Sequence, residues 1–142
     1  MPGLPYARNF RELEVYKKAR RLAAEVFEVS KTFPREEMYS LTDQVRRASR
    51  SVGGQIAEAW AKRRYPKHFA SKLSDADGEQ NETQHWIEVA FDSAYVDENT
   101  RDRLIDLCLE LGRMLGSMIS KAEGFSGDGG SSVGEEAAPY LV

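Results

Sequence analysis

Apolar residues recur along the chain at spacings of three and four positions, the period of one buried face of an α-helix. Sparse breaks divide this pattern into four long segments. They predict helices over about 10–31, 41–63, 66–92 and 98–124. Short connections between long helices make sequential helices antiparallel. The pattern therefore predicts an all-α fold, an up-down-up-down antiparallel four-helix bundle.

Residues at the segment ends have the chemistry of helix caps. Asn9 and Glu12 have capping-box spacing at the start of the first helix. Ser40 or Thr42 is expected to start the second helix, and Asp97 to cap the fourth. Local hydrogen bonds are therefore expected to fix the helix boundaries together with the apolar pattern.

Each predicted helix has its own apolar stripe. The expected core positions are Leu13, Tyr16, Ala19, Ala23, Val26, Phe27 and Ser30 in the first helix, Leu41, Val45, Ala48, Val52, Ile56, Ala59 and Trp60 in the second, Phe69, Leu73, Ala76, Gln80, Thr83, Ile87 and Ala90 in the third, and Leu104, Leu107, Cys108, Leu111, Leu115, Met118, Ile119 and Ala122 in the fourth. The apolar faces of the first and fourth helices are wider than a bundle seam needs, and in the first helix Val15, Leu22 and Val29 extend the stripe. Either burial at the bundle edge is loose, or a second apolar surface serves self-association.

Two adjacent glycines, Gly53 and Gly54, interrupt the second helical segment. A glycine inside a helix costs about 1 kcal/mol relative to alanine. The pair therefore predicts either a kink or a very close approach by another helix.

The chain has 142 residues, a length that suits one domain with a core of its own. We expect the bundle to occupy residues 9–124, after a flexible N-terminus at 1–8. Residues 125–142 are rich in Gly and Ser, and their charged side chains are all acidic. That composition is typical of a flexible tail.

The chain lacks the sequence features that direct proteins into membranes. It has no run of about 18 apolar residues, and its first residues lack the apolar core of a secretory signal peptide. The single cysteine, Cys108, excludes an internal disulfide and suits a reducing compartment. We therefore expect a cytoplasmic protein with no membrane partner.

The sequence offers little catalytic chemistry. Glu82 and His85 have the Glu-x-x-His spacing of di-iron bundles, but such a site needs a second motif. The other histidine, His68, has Tyr65 at the matching position. Cys108 lies in an apolar stripe, so we expect a buried small side chain and not a nucleophile. The sequence predicts no enzyme, no metal and no cofactor.

Charge is unevenly distributed, although the net charge is only −3. The range 46–72 holds eight basic residues and one acid, whereas 73–110 holds eleven acids and two bases. Trp60, Tyr65 and Phe69 interleave with the bases, a combination that can hold phosphates and stack a nucleobase. The alternative is an ordinary solvated helix surface with its aromatic residues in the core.

Four separated segments resemble one protein family. They are FRELEVY (10–16), FPREE (33–37), LTDQVRRA (41–48) and SVGGQIAE (51–58). In this order and spacing they are similar to the bacterial four helix bundle family, also called the 23S rRNA intervening-sequence proteins. The resemblance extends over about 9–122.

The resemblance implies an up-down bundle that assembles into a ring, typically a homopentamer. It also implies a link to the accessory variability protein of diversity-generating retroelements, a basic pentameric bundle thought to bind nucleic acid and a reverse transcriptase. Further copies of the chain, RNA or DNA, and a reverse transcriptase or other protein are therefore the implied partners. The family is not known as an enzyme.

The chain departs from the family pattern at two places. VGGQ (52–55) stands where the family often has Ile-Pro-x-Asn, and EAWA (58–61) replaces Glu-Gly-aromatic-Gly. The family's polar pattern also draws attention to Gln44, Arg47 and Glu58. They either bind a ligand or form a buried network that fixes helix register, in which Glu58 pairs with Arg47 or with a basic group of a partner subunit.

Two functions fit these observations. The first is a ring-forming, non-enzymatic bundle that binds nucleic acid weakly through the corner between the second and third helices. The candidate nucleic-acid-binding residues are Arg46, Arg50, Lys62, Arg63, Arg64 and Lys67. The second is a protein-interaction scaffold with no nucleic-acid role, which uses the acidic third helix or the tail.

Overall fold

The computed structural model describes residues 7–125 of the chain. Its long helices are α1 (Glu14–Ser30), α2 (Asp43–Ala61), α3 (Pro66–Asp92) and α4 (Glu98–Ser120), and no strand occurs within this range. None of the helices described has the length and apolar character needed to cross a membrane. The flexible ends predicted at 1–8 and 125–142 lie almost entirely outside the described residues.

Two ion pairs show that α1 and α4 run antiparallel. Lys18 and Glu25 of α1 pair with Glu110 and Arg103 of α4, so equal steps forward on one helix match equal steps back on the other. The helices pack in the order α1–α2–α3–α4, and α4 also packs against α1. The predicted all-α four-helix bundle is therefore confirmed for a single chain. Its assembly into a ring stays a prediction.

The core of α3 follows the predicted stripe at all seven positions. Two of these positions are polar, and both find hydrogen-bond partners on their own helix. The Gln80 amide donates to Asp77 Oδ1 at 2.8 Å, and the Thr83 hydroxyl donates to the Glu79 carbonyl at 2.9 Å. Burial of these groups is tolerated because each polar atom is satisfied.

The buried face of α1 differs from the prediction. Its buried residues are Val15, Ala19, Leu22, Val26 and Ser30. The expected core residues Tyr16, Ala23 and Phe27 are only half-buried. They follow the buried positions by one residue, which is about 100° around a helix of 3.6 residues per turn. The wide apolar face of α1 therefore has two parts: one is buried in the core, and the other, with Tyr16, Ala23 and Phe27, lies on the side near α2.

The start of the first helix also differs from the prediction. Phe10–Glu12 form a 3₁₀ turn, and the Asn9 side chain caps that turn by accepting from the Arg11 amide at 2.9 Å. Leu13 is then extended and almost fully buried, so α1 begins only at Glu14. The extended backbone at Leu13 interrupts the predicted helix and accompanies the burial of the Leu13 side chain in the core.

The other predicted caps have mixed outcomes. Asp97 caps α4, where its carboxylate accepts from the Thr100 amide at 2.8 Å. Thr42 is not the cap of α2, because it has helical backbone angles and makes no capping hydrogen bond. It belongs to a π-helical turn, Met38–Thr42, that leads into the helix.

Candidate nucleic-acid interface

Basic residues between Arg46 and Lys67 form no direct ion pairs, although Arg47 and Lys62 lie near enough to Glu79 and Glu58 to favour the charged forms of those carboxyls. All seven basic residues of this range lack an ion pair within the described part of the chain, namely Arg46, Arg47, Arg50, Lys62, Arg63, Arg64 and Lys67. On α1 and α4, Lys18 and Arg101 pair with acids, whereas Arg20 and Arg113 make no ion pair in the described range. Uncompensated positive charge is therefore concentrated on α2 and the turn that follows it.

These seven residues form two clusters. The α2 cluster comprises Arg46, Arg47 and Arg50, and the corner cluster comprises Lys62, Arg63, Arg64 and Lys67 at the α2–α3 turn. Arg50 and Lys62 are separated by about 18 Å along the helix axis, from the rise of 1.5 Å per residue. The six residues predicted to bind nucleic acid therefore do not form one patch.

The ring of Phe27 on α1 contacts two arginines of the α2 cluster. The Arg46 and Arg50 guanidinium carbons lie 4.7 and 5.5 Å from the centre of its ring. Arg46 also donates from Nε to the Ser30 hydroxyl at 2.7 Å. Cation–π contact and this hydrogen bond hold the two side chains in place while their charge stays uncompensated.

In the corner cluster, Arg63 is engaged within the protein. Its guanidinium lies 4.3 Å from the centre of the Trp60 ring and donates to the Trp60 carbonyl at 3.1 Å. Burial, with a smaller effect from Arg64, lowers the pKa of Arg63. Lys62, Arg64 and Lys67 are exposed. These three are better placed than Arg63 to meet a ligand.

Of the three aromatic residues that interleave with the bases, only one is exposed. Tyr65 is 62% exposed, whereas Phe69 is fully buried in the core. Trp60 is half-buried beneath Arg63. The idea that all three residues offer stacking surfaces is wrong, because Phe69 packs in the core of the bundle.

The polar residues Gln44, Arg47 and Glu58 do not meet as a buried network within one chain. Glu58 is exposed and pairs with Lys72 of α3 at 2.7 Å, and the hydrogen bond from Lys72 lowers its pKa. Arg47 is exposed on the same helix, about 16 Å from Glu58 along the axis. The Gln44 amide donates to the Tyr39 carbonyl at 3.4 Å. Pairing of Glu58 with a partner subunit stays a prediction.

A groove of about 460 Å³ runs between α1 and α2. Part of its lining consists of small residues, namely Ala23, Ala24, Gly53, Gly54 and Ala57. Helix α2 continues unbroken through its two glycines. A Cβ added to Gly53 would lie 3.5 Å from Tyr16 Cε1, whereas one added to Gly54 would meet nothing within 4 Å. A side chain at Gly53 would therefore make only ordinary van der Waals contact with α1, and one at Gly54 would enter open space, so the very close approach that the glycine pair predicted is not found.

Aromatic and basic side chains line the rest of this groove. Phe10, Tyr16 and Phe27 supply the aromatic surface, and Arg20 and Arg50 supply charge. None of the lining residues carries a carboxylate. Sequence reasoning missed this site because it placed Tyr16 and Phe27 in the core. The excess width of the α1 apolar face was the available signal.

The remaining reactive residues are engaged or buried. Cys108 is fully buried, as predicted, and burial raises the pKa of its thiol to about 12. Glu82 accepts a hydrogen bond from the Trp86 indole at 3.0 Å, and His85 is exposed. Across residues 7–125, no group of three or more His, Cys, Asp or Glu side chains is arranged to hold a metal ion.

Comparison with known proteins gives a family but no established activity. Residues 11–117 match the family model described as 23S rRNA-intervening sequence protein. The fold is similar to a crystal structure of a protein of unknown function, from the S23 ribosomal protein family of Bacteroides thetaiotaomicron VPI-5482. That comparison has a TM-score of 0.67 and 25% identity, and it covers 74% of this chain and 97% of the other. No curated protein matches. The family model spans most of the chain, which therefore belongs to the 23S rRNA-intervening sequence protein family.

Proposed function

We propose that this protein is a non-enzymatic, cytoplasmic helical bundle that binds nucleic acid through the α2 cluster and the corner cluster. The observation that carries the proposal is the group of seven basic residues from Arg46 to Lys67 that make no ion pair among the described residues, although the full sequence has a net charge of −3. Neutralising phosphates with such residues releases counterions, which favours binding to any polyanionic strand.

A salt series of fluorescence-anisotropy measurements with labelled RNA and DNA tests this function. Binding is expected to weaken steeply as salt rises. The double variants Arg47→Gln/Arg50→Gln and Arg64→Gln/Lys67→Gln should each reduce the slope of log K against log salt, by about 0.7–0.9 per lost phosphate contact. Arg113→Gln, an exposed arginine of α4, is the matched control. Absence of binding at low salt, or equal slopes for all variants, would refute the proposal.

The second candidate function is a protein-interaction scaffold, favoured by the acidic surface of α3. Burial and the nearby Glu82 raise the pKa of Glu79, and Arg47 only partly opposes them. A basic protein could neutralise this surface, and the family resemblance makes a reverse transcriptase one candidate. A pull-down that retains the same basic protein after nuclease treatment would favour this function over the first.

We also propose that the chain forms a homo-oligomer, with the pentamer implied by the resemblance as the expected state. The support for this proposal is the membership of the chain in the 23S rRNA-intervening sequence protein family, for which the resemblance implies a ring. Multi-angle light scattering is expected to give the mass of five copies of the 16.0 kDa chain. The mass of a single chain at micromolar concentration would contradict self-association.

A further inference from the structure

We infer that the groove between α1 and α2 receives an unpaired nucleobase of a single-stranded nucleic acid whose phosphates lie on the α2 cluster. This inference rests on the proposed function and narrows its ligand class from any polyanion to an unpaired strand. It is carried by the lining of the groove and by a second depression beside it.

The groove has the chemistry of a site for an apolar body that carries a negative charge. Its volume of about 460 Å³ lies within the range of 300–1,000 Å³ that is typical of ligand pockets. Small residues leave the space open, and Phe10 and Tyr16 offer apolar surface. Arg20 and Arg50 supply positive charge with no carboxylate in the lining to oppose it. A nucleobase with its phosphate has this combination of properties.

The depression beside the groove supplies the position for the phosphate. It has a volume of about 620 Å³ and contains Arg46, Arg47 and Arg50 against a single acid, Asp43. Arg50 and Gly54 line both spaces, so the groove and the depression adjoin. An apolar space next to an arginine-rich one matches the succession of base and phosphate along a strand.

Arg50 stands at the boundary between the two spaces and is positioned by Phe27. A guanidinium plane can stack on a base and also hydrogen-bond to a phosphate. A duplex cannot place a base in the groove without unpairing it, so a duplex would reach only the arginines. The geometry therefore favours an unpaired strand over a duplex.

Leucine substitutions that fill the groove test the inference without changing the charge. Ala57→Leu places a larger side chain in the groove, and Ala61→Leu, one turn further along α2, is the matched control outside it. Ala24→Leu is a second groove variant, on α1, at a residue that lines the groove but not the depression. Thermal melting verifies that each variant folds. Anisotropy is measured for a labelled 12-nucleotide RNA, alone and as a duplex with its complement.

The wild type is expected to bind the single strand more tightly than the duplex. Ala57→Leu and Ala24→Leu should weaken single-strand binding about tenfold and duplex binding less than twofold, with Ala61→Leu unchanged. Failure of the wild type to bind either form would refute the proposed function. Equal binding of both forms, unaffected by the groove variants, would overturn only this inference.

Three further results would assign the groove to another occupant and overturn the inference. Light scattering could show that Ala57→Leu and Ala24→Leu lower the mass of the assembly while Ala61→Leu does not, which would assign the groove to a second copy of the chain. Poly-glutamate could displace the single-stranded RNA as effectively as unlabelled RNA does, which would indicate a general anion site. A labelled acidic peptide containing tyrosine could bind more tightly than the RNA and lose that binding in the groove variants.

Discussion

Gly112 of α4 lies against the side-chain amide of Gln80 on α3. A Cβ added to Gly112 would lie 3.0 Å from Gln80 Nε2 and 3.4 Å from Asp77 Oδ1. The amide cannot easily move, because Nε2 donates to Asp77 and Oε1 accepts from Gln84, each at 2.8 Å. The absence of a side chain at Gly112 therefore makes room for a buried polar group between two helices.

Substitution of this glycine is expected to destabilise the bundle. Gly112→Val should lower the free energy of unfolding by about 1–3 kcal/mol, because the added atoms overpack a filled site. Gly116→Val, one turn further along α4, is the control, since a Cβ there meets nothing within 4 Å. Urea denaturation measures both variants. A loss at Gly112→Val no larger than at Gly116→Val would show that the Gln80 amide moves aside freely.

Tyr95 is expected to stabilise the protein at neutral pH and to lose this effect at acidic pH. Its hydroxyl donates to the Glu37 carboxylate at 2.7 Å, and this hydrogen bond is the main reason that the pKa of Glu37 lies below its ordinary value of 4.5. A lowered carboxyl pKa adds stability above pH 4.5 that is lost as the pH falls through the folded-state pKa. Tyr95→Phe should therefore melt below the wild type at pH 7, and the difference should shrink below about pH 4.

Tyr39→Phe is the matched control for this measurement, because Tyr39 is 81% exposed. It should melt with the wild type at every pH. A difference between Tyr95→Phe and the wild type that stays constant from pH 7 to pH 3 would mean that Glu37 is not responsible.

Cys108 is expected to be unreactive in the native protein. Its burial and a thiol pKa of about 12 leave almost no thiolate at neutral pH. A thiol-specific disulfide reagent at pH 8 should therefore report no free thiol in the native protein, and one thiol per chain in denaturant. Rapid labelling without denaturant would show that the core around Cys108 opens readily.

Neighbouring arginines of the corner cluster should have different roles. Arg63 stacks on Trp60, so Arg63→Gln is expected to cost about 0.5–1 kcal/mol of stability and to change the salt dependence of RNA binding little. Arg64 is exposed, so Arg64→Gln should leave the melting temperature unchanged and reduce the salt slope. Thermal melting and anisotropy together separate these roles. Equal effects of both variants on binding would contradict the assignment.

The sequence alone predicts most of the helical framework and little of the candidate interface. The α3 stripe was predicted correctly because its seven positions keep the three-and-four spacing of one helix face from Phe69 to Ala90, even where Gln80 and Thr83 replace apolar residues. In α1 the apolar positions are too numerous for periodicity to show which side faces the core, and Tyr16 and Phe27 were therefore misplaced. The groove could not be predicted, because small residues from two distant segments meet there only in the folded chain.

Because the groove separates part of α1 from α2, α1 packs less extensively against its neighbouring helices than α3 does. Contacts of α1 with α2 and α4 are fewer than those of α3 with the same two helices, and ion pairs such as Lys18–Glu110 bridge part of the seam. Salt screens exposed ion pairs. We therefore expect α1 to behave as a separately opening unit, with faster amide hydrogen exchange than α3 and a rate that rises with ionic strength.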